Sequence, residues 1–244
     1  MTQNIYDDPD FFAGYSQLPR SLGGLDGAPE WADLMALLPD IKGLRVLDLG
    51  CGFGWFCRYA AGEGAASVTG IDISENMLAR ARSASADPRI TYRRSDLEAL
   101  ELEPESFDLV YSSLALHYIE RLDALLAEVA KALRPGSRFV FSAEHPIFTA
   151  PLEAGWITGS NGERIWPVDH YLVEGPRDRK WFVDRVVKQH RTITTYIDLL
   201  TASGFALVRL IEWGPTDAQI AAHPEWAEER QRPMFMLVSA VRAA

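Results

Sequence analysis

The stretch that most constrains this 244-residue chain is Arg45-Val46-Leu47-Asp48-Leu49-Gly50-Cys51-Gly52-Phe53-Gly54-Trp55. A short apolar strand ends in an acid, passes three glycines at alternate positions and enters what reads as a helix over residues 54–62. Glycines crowded at a strand-to-helix turn let a ligand lie against the backbone where a side chain would intrude. The helix start that follows presents free N–H groups. A second apolar strand, Ser67-Val68-Thr69-Gly70-Ile71, ends in another acid, Asp72. An acid at the tip of the second strand is placed to accept hydrogen bonds from a ribose diol. Together these features predict a cofactor that contains a nucleoside.

The rest of the chain supplies the scaffold such a turn needs. Apolar strands near 45–49, 67–71, 90–92, 107–111 and 138–143 alternate with amphipathic helices near 54–62, 74–84 and 120–133. That alternation signals a parallel sheet covered on both faces. Pro135-Gly136 is expected to end the third helix and turn the chain into the fifth strand. A helix over Thr192–Ser203 stops at Gly204, and closing strands over 205–212 and 234–242 are placed to pair antiparallel at one edge. The predicted fold is α/β: a Rossmann-like, doubly wound, mostly parallel seven-stranded sheet with an antiparallel edge strand. Residues 1–244 read as one domain. It comprises an N-terminal helical cap over 1–43, a cofactor-binding core over 44–143, an insertion over 144–190 and the remainder of the core over 191–244. The insertion reads as irregular and is rich in aromatic residues: Phe148, Trp156, Trp166, Tyr171, Trp181 and Phe182. It follows the fifth strand at the edge where α/β sheets bind ligands, which suggests a lid or substrate wall. Packing of those aromatics as a satellite core is the plainer alternative.

Composition narrows the class. With 48% hydrophobic residues the chain can bury a substantial core. It has no apolar run of the roughly 20 residues that span a bilayer. The start, Met1-Thr2-Gln3-Asn4-Ile5-Tyr6-Asp7-Asp8, is polar and acidic, unlike a signal peptide. Cys51 and Cys57 match neither metal-ligand spacing nor a disulfide framework, so reduced thiols in a cytoplasmic protein and no bound metal are expected. A net charge of −10 argues against a nucleic-acid partner, because the basic groups Arg89/Arg93/Arg94 and Arg177/Arg179/Lys180 are each interrupted. Monomer and homodimer both remain open.

Spacing then separates two cofactors. A dinucleotide fingerprint calls for G-x-G-x-x-G, but counting from Gly50 the third glycine position is held by Trp55. The observed D-x-G-x-G-x-G instead resembles the first motif of class I S-adenosylmethionine-dependent methyltransferases of the small-molecule type, the group that includes the ubiquinone and menaquinone biosynthesis enzymes. Further pieces match in order: Gly70-Ile71-Asp72-Ile73-Ser74-Glu75-Asn76-Met77-Leu78, then Ser95-Asp96-Leu97-Glu98. Phe107-Asp108-Leu109-Val110-Tyr111-Ser112-Ser113-Leu114-Ala115-Leu116-His117-Tyr118 and Leu133-Arg134-Pro135-Gly136-Ser137-Arg138-Phe139-Val140 complete the set.

The resemblance covers most of residues 41–143 and implies S-adenosyl-L-methionine as cofactor. It places Gly50, Cys51 and Gly52 along the methionine portion and Asp72 on the ribose hydroxyls. Ile73 and Met77 would pack on the adenine or ribose faces, Asp96 would accept from the adenine amino group beside the Leu97 backbone, and Ser112 would lie near the sulfonium. Tyr15 and Arg20, from the cap, would close over the cofactor, the arginine pairing with its carboxylate.

Methyl transfer of this kind is an in-line displacement in which the protein chiefly supplies orientation. A general base is needed only if the acceptor must lose a proton first. His145, after the fifth strand, is the preferred candidate; His117 and His190 follow, and Glu144 is placed to orient His145 or to take the proton itself. The aromatic insertion suggests a small, largely apolar or aromatic acceptor. The methylated atom stays open among oxygen, nitrogen, sulfur and carbon. The competing readings are a nicotinamide-dependent oxidoreductase, a non-catalytic S-adenosylmethionine-binding protein, and an aminopropyl transferase or cyclase on the same fold.

Overall fold

A computed structural model describes residues 2–244. The N-terminal segment folds as short helices, α1 (Pro9–Tyr15), α2 (Pro19–Leu22) and α3 (Trp31–Leu37). Proline opens both α1 and α2, where its missing N–H costs nothing. Asp8 caps α1 by accepting from the N–H groups of Asp10 and Phe11. There follow β1 (Arg45–Leu49), α4 (Trp55–Gly62), β2 (Ser67–Asp72), α5 (Glu75–Ser83), β3 (Ile90–Arg94), β4 (Phe107–Ser113), α6 (Leu122–Ala132) and β5 (Leu133–Glu144).

The segment that reads as irregular in sequence is ordered. It holds α7 (Pro146–Thr149), a small ribbon of β6 (Ile157–Thr158) and β7 (Arg164–Ile165), and a hairpin of β8 (Gly175–Trp181) and β9 (Val183–His190). The chain closes with α8 (Ile193–Ala202), β10 (Phe205–Trp213), α9 (Asp217–Ala222) and β11 (Phe235–Arg242).

The main sheet has the order β3-β2-β1-β4-β5-β11-β10. All its strands run parallel except β11, which pairs antiparallel with both β5 and β10. The reversed strand is thus the inner member of the edge pair, and β10 forms the edge itself. Strand order reverses between β1 and β4, and the crevice at their C-terminal ends is where open α/β sheets place ligands. Both faces are covered. Val46, Val68, Leu109 and Val140 pack with Leu34 and Phe56 on one side, while Leu47, Leu49, Val110 and Phe139 pack with Leu125, Val129 and Leu200 on the other.

Pro135-Gly136 does not separate α6 from β5. The strand starts at Leu133, directly after the helix, and the pair lies in a bulge: Leu133 stands opposite Phe107 and Arg138 opposite Leu109, with Gly136 at φ +80°. No helix among the described residues is long and apolar enough to cross a membrane.

Candidate functional site

The glycine turn opens onto the crevice. Gly50 and Gly52 have φ of +72° and +51°, a left-handed conformation that favours glycine. A side chain at Gly50 would run into Ala115 at 2.5 Å, which locks the turn against the end of β4. One at Gly52 would meet nothing within 4 Å, so the turn has an uncovered face there that a ligand can approach. Asp72 closes the side of this cradle. One of its carboxylate oxygens accepts from the Gly52 N–H at 2.8 Å and the other from the Ser74 N–H at 2.9 Å. Each oxygen keeps capacity for a further donor.

Two acids lie buried at this point. Burial pushes Asp72 up to about 6, against the hydrogen bonds from Ser74 and Gly52. It pushes Asp48, whose Oδ2 takes only the Cys57 thiol at 3.2 Å, up to about 7. A cationic ligand stabilises both carboxylates in their charged form. Donor set, open glycine and charge therefore fit S-adenosylmethionine, a positively charged nucleoside. Cys51 and Cys57 are free and buried.

On the far side of Asp72, Ser74 caps α5 by accepting from the Met77 N–H at 3.1 Å. Met77 is buried and Ile73 half-buried. Asp96 accepts from the Glu98 N–H at 3.0 Å, fixing a short 3-10 turn around the buried Leu97. Asp7, which carries no motif, is held here as well: its carboxylate accepts from the Ser74 hydroxyl at 2.5 Å and the Asn76 N–H at 3.1 Å. Burial opposes the charge, but these bonds hold Asp7 below the usual carboxylate range. It ties the N-terminal segment to the start of α5.

That segment forms half of an aromatic cover. Tyr6 packs edge-on against Phe11 and Tyr15 at 5.0 and 5.1 Å, and its hydroxyl meets that of Tyr118 at 3.3 Å. The other half is the tip of the β8–β9 hairpin: Trp181 lies 5.2 Å from Phe11 and 6.0 Å from Tyr15. Phe182, the hairpin's turn residue, sits at φ +60°, and its ring occupies the space where a Gly14 side chain would be.

Several candidates have other work. Arg20 is bound in two hydrogen bonds by the fully buried Glu30, at 3.0 and 3.3 Å, so its charge is already balanced within the protein. The fully buried Ser112 donates to the Leu49 carbonyl at 2.8 Å and ties β4 to β1.

The three candidate histidines are likewise engaged. His145 Nδ1 accepts from the Ile147 N–H at 3.0 Å, capping α7, which leaves Nε2 as the donor to Glu212 at 2.9 Å. Its ring caps α7, with Nδ1 taken by a backbone N–H and Nε2 carrying the proton. In His190, Nε2 donates to the Tyr171 carbonyl at 2.9 Å, so Nδ1 accepts from the Thr149 hydroxyl at 2.8 Å. In His117, Nδ1 accepts from the Glu144 N–H at 3.3 Å, and burial lowers its pKa to about 4. Its tautomer leaves Nε2 a donor, opposite to what a base requires.

Glu144 is the exception. Its Oε1 is bound by Lys188 Nζ, which projects from β9 into the interior. Burial works to raise the Glu144 pKa, but the charge and hydrogen bond of Lys188 outweigh it and hold the carboxyl below its ordinary value. Lys188 escapes sequence reasoning because a polar residue does not mark the inward face of an alternating strand. Only its register with the buried Val186 and His190 signals it.

Three other aromatics of the insertion have a separate partner. Phe148, Trp156 and Trp166 close on the Arg232 guanidinium at 4.7, 5.2 and 4.3 Å, as a satellite core.

Known proteins share this architecture. A family model described as a methyltransferase domain matches residues 47–141. The crystal structure of an S-adenosylmethionine-dependent methyltransferase from Mesorhizobium loti is 58% identical, with a TM-score of 0.87 over 90% of this chain and 100% of that one. A Listeria monocytogenes protein proposed to be of the same kind is 42% identical, with a TM-score of 0.84 over 91% and 100%. Malonyl-[acyl-carrier protein] O-methyltransferase from Pectobacterium atrosepticum is 38% identical over 123 residues, 50% of this chain and about half (47%) of that protein.

Proposed function

Because the chain belongs to the S-adenosylmethionine-dependent methyltransferases, with S-adenosylmethionine as its cofactor, we propose that it methylates a small, largely apolar or aromatic acceptor. The acceptor is held between the ends of β4 and β5 and the aromatic cover. The observation that carries this reading is the enclosure itself: Phe11 and Tyr15 meet Trp181, and Tyr6, packed on both, reaches Tyr118 in the segment after β4. Flat apolar molecules pack well on such rings. The net charge of −10 works against a polyanionic acceptor.

In this reading Gly50, Cys51 and Gly52 run along the methionine portion of the cofactor and Asp72 takes its ribose hydroxyls. Ile73 and Met77 flank the adenine, Asp96 and Leu97 border its edge, and Tyr15 closes the site from above. When bound, S-adenosylmethionine supplies a methyl group already activated by a sulfonium. The protein's part is to hold the acceptor in line and to exclude water, and such orientation contributes roughly 7–11 kcal/mol in favourable cases. No histidine is assigned a proton.

The test is calorimetric titration of S-adenosylmethionine and S-adenosylhomocysteine into the protein and into Asp72→Ala. A hydrogen bond to a charged group contributes about 1.5–3 kcal/mol, so the variant is expected to bind roughly tenfold to hundredfold more weakly with its circular dichroism unchanged. Equal affinity in both proteins would remove Asp72 from the cofactor site.

A further inference from the structure

At the C-terminal end of β5 one buried carboxylate oxygen, Glu144 Oε2, has no hydrogen-bond partner among the described residues. Its twin is held by Lys188, and the two side chains are only 11% and 7% exposed. Around them stand the Tyr118 and Trp181 rings, 5.9 and 5.0 Å from Lys188 Nζ, and the imidazole of His117, which takes the Glu144 N–H. A buried acceptor without a donor is costly, and more so when charged, so it calls for a partner.

We propose that Glu144 Oε2 receives the methyl acceptor itself, a small molecule that presents an N–H or O–H group to this carboxylate from a flat apolar body. The inference rests on the methyltransferase reading above and deepens it by naming what the acceptor must carry.

Three features select that class. An ionised carboxylate only accepts hydrogen bonds, so its partner carries a donor. Lys188 already balances the charge of Glu144, so a neutral hydroxyl or amine suits the place better than a second cation. Tyr118 and Trp181 offer ring faces and edges on which an aromatic body packs.

Position agrees with chemistry. Glu144 ends β5 beside the end of β4, where the Leu114 N–H reaches back to the Ser142 carbonyl at 3.0 Å. The next residue, Ala115, is the one that abuts Gly50 of the cofactor turn. An N–H or O–H group bound to Glu144 points its proton at the carboxylate and turns its lone pair elsewhere, free to meet an electrophile. Because Lys188 leaves Glu144 a weak base, the carboxylate orients the donor. The proton would pass to Oε2 only as the heteroatom bonds to the methyl carbon and the carbon–sulfur bond breaks, leaving S-adenosylhomocysteine.

The test uses the protein saturated with S-adenosylhomocysteine and four probes followed by NMR titration: phenol, aniline, anisole and N,N-dimethylaniline. Phenol and aniline are expected to bind about tenfold or more tightly than their capped analogues. Glu144→Gln is expected to erase that preference, since its amide oxygen can keep Lys188 while its N–H groups oppose a donor. No preference in the parent, no binding by any probe, or a preference that survives in the variant each overturns the proposal. The parent's own preference decides the matter even if the variant fails to fold. Affinity for S-adenosylhomocysteine is measured beforehand, by titrating it into the ligand-free parent. Its absence in the parent sinks the methyltransferase reading, whereas normal affinity without probe preference sinks only the assignment of Glu144.

Discussion

The cofactor turn and the insertion both bury polar atoms at strand ends, and they satisfy them in opposite ways. Around Gly50 and Asp72 the donors are backbone N–H groups, and the carboxylates of Asp48 and Asp72 are left with few partners. In the insertion the donors are long side chains that reach backbone carbonyls. Arg177 donates to Ala150 and Val173, Arg179 to Thr149, Pro151 and Leu152, and Arg191, just beyond the insertion, does the same for Ile119 and Glu120. The first arrangement leaves a ligand something to complete; the second completes itself. The lesson is that reactive residue types are poor guides to chemistry where loops are stitched together by side chains, because histidine and arginine are then the stitches. Glu144 departs from the second pattern, which is why it stands out.

The contrast can be broken most forcefully at Asp48. Burial places its folded-state pKa at about 7, above the ordinary 3.8, so folding favours the protonated form. That contribution is fully present below the unfolded pKa and is lost as pH rises through about 7. Asp48→Asn removes the dependence. The melting temperature of the cofactor-free variant, relative to the parent, is expected to climb by on the order of 5–10 °C between pH 4 and 8. A constant difference across that range would show that the acid is not held unsatisfied.

An intermediate effect is expected at His145. Loss of its cap and ring in His145→Ala should cost about 2 kcal/mol in denaturant unfolding. His145→Asn, which can cap α7 but has no imidazole, should recover part of that loss. Cofactor affinity and turnover per folded molecule should stay near parent values in both. A stable but inactive Asn variant would return His145 to the mechanism.

The smallest effect sharpens the role of the cover. A methyl group on Gly14 would stand 2.5 Å from the Phe182 ring. Gly14→Ala should move the global melting temperature by only about 2 °C, since the hairpin lies outside the sheet. Amide exchange over residues 181–187 should nonetheless accelerate several-fold. Unchanged exchange there would mean the two halves of the cover are held by other contacts.

Much of the fold was legible because its signals are local. Alternating apolar runs gave the strands of the parallel core, and Asp48, Gly50, Gly52 and Asp72 declared a cofactor cradle through backbone requirements that few residues can meet. The hairpin of β8 and β9 was not legible: its inward face carries Arg177, Val186, Lys188 and His190, a mixture that no hydrophobic pattern marks. The pairing of Lys188 with Glu144 spans 44 residues. Nor could sequence separate a histidine that caps a helix from one that moves a proton, since the distinction lies in which nitrogen a distant N–H happens to meet. Asp7 was hidden for the same reason, its partners lying 67 and 69 residues away.

The seat of the Phe182 ring on Gly14 has a consequence beyond this one molecule. A left-handed phenylalanine costs roughly 1–3 kcal/mol of backbone strain and persists only where its surroundings hold it. The surroundings here include the bare backbone of Gly14, which any larger residue would deny it. Neither position can drift alone. Across related chains, residues 14 and 182 should therefore vary as a pair, with glycine at the first wherever an aromatic ring occupies the second.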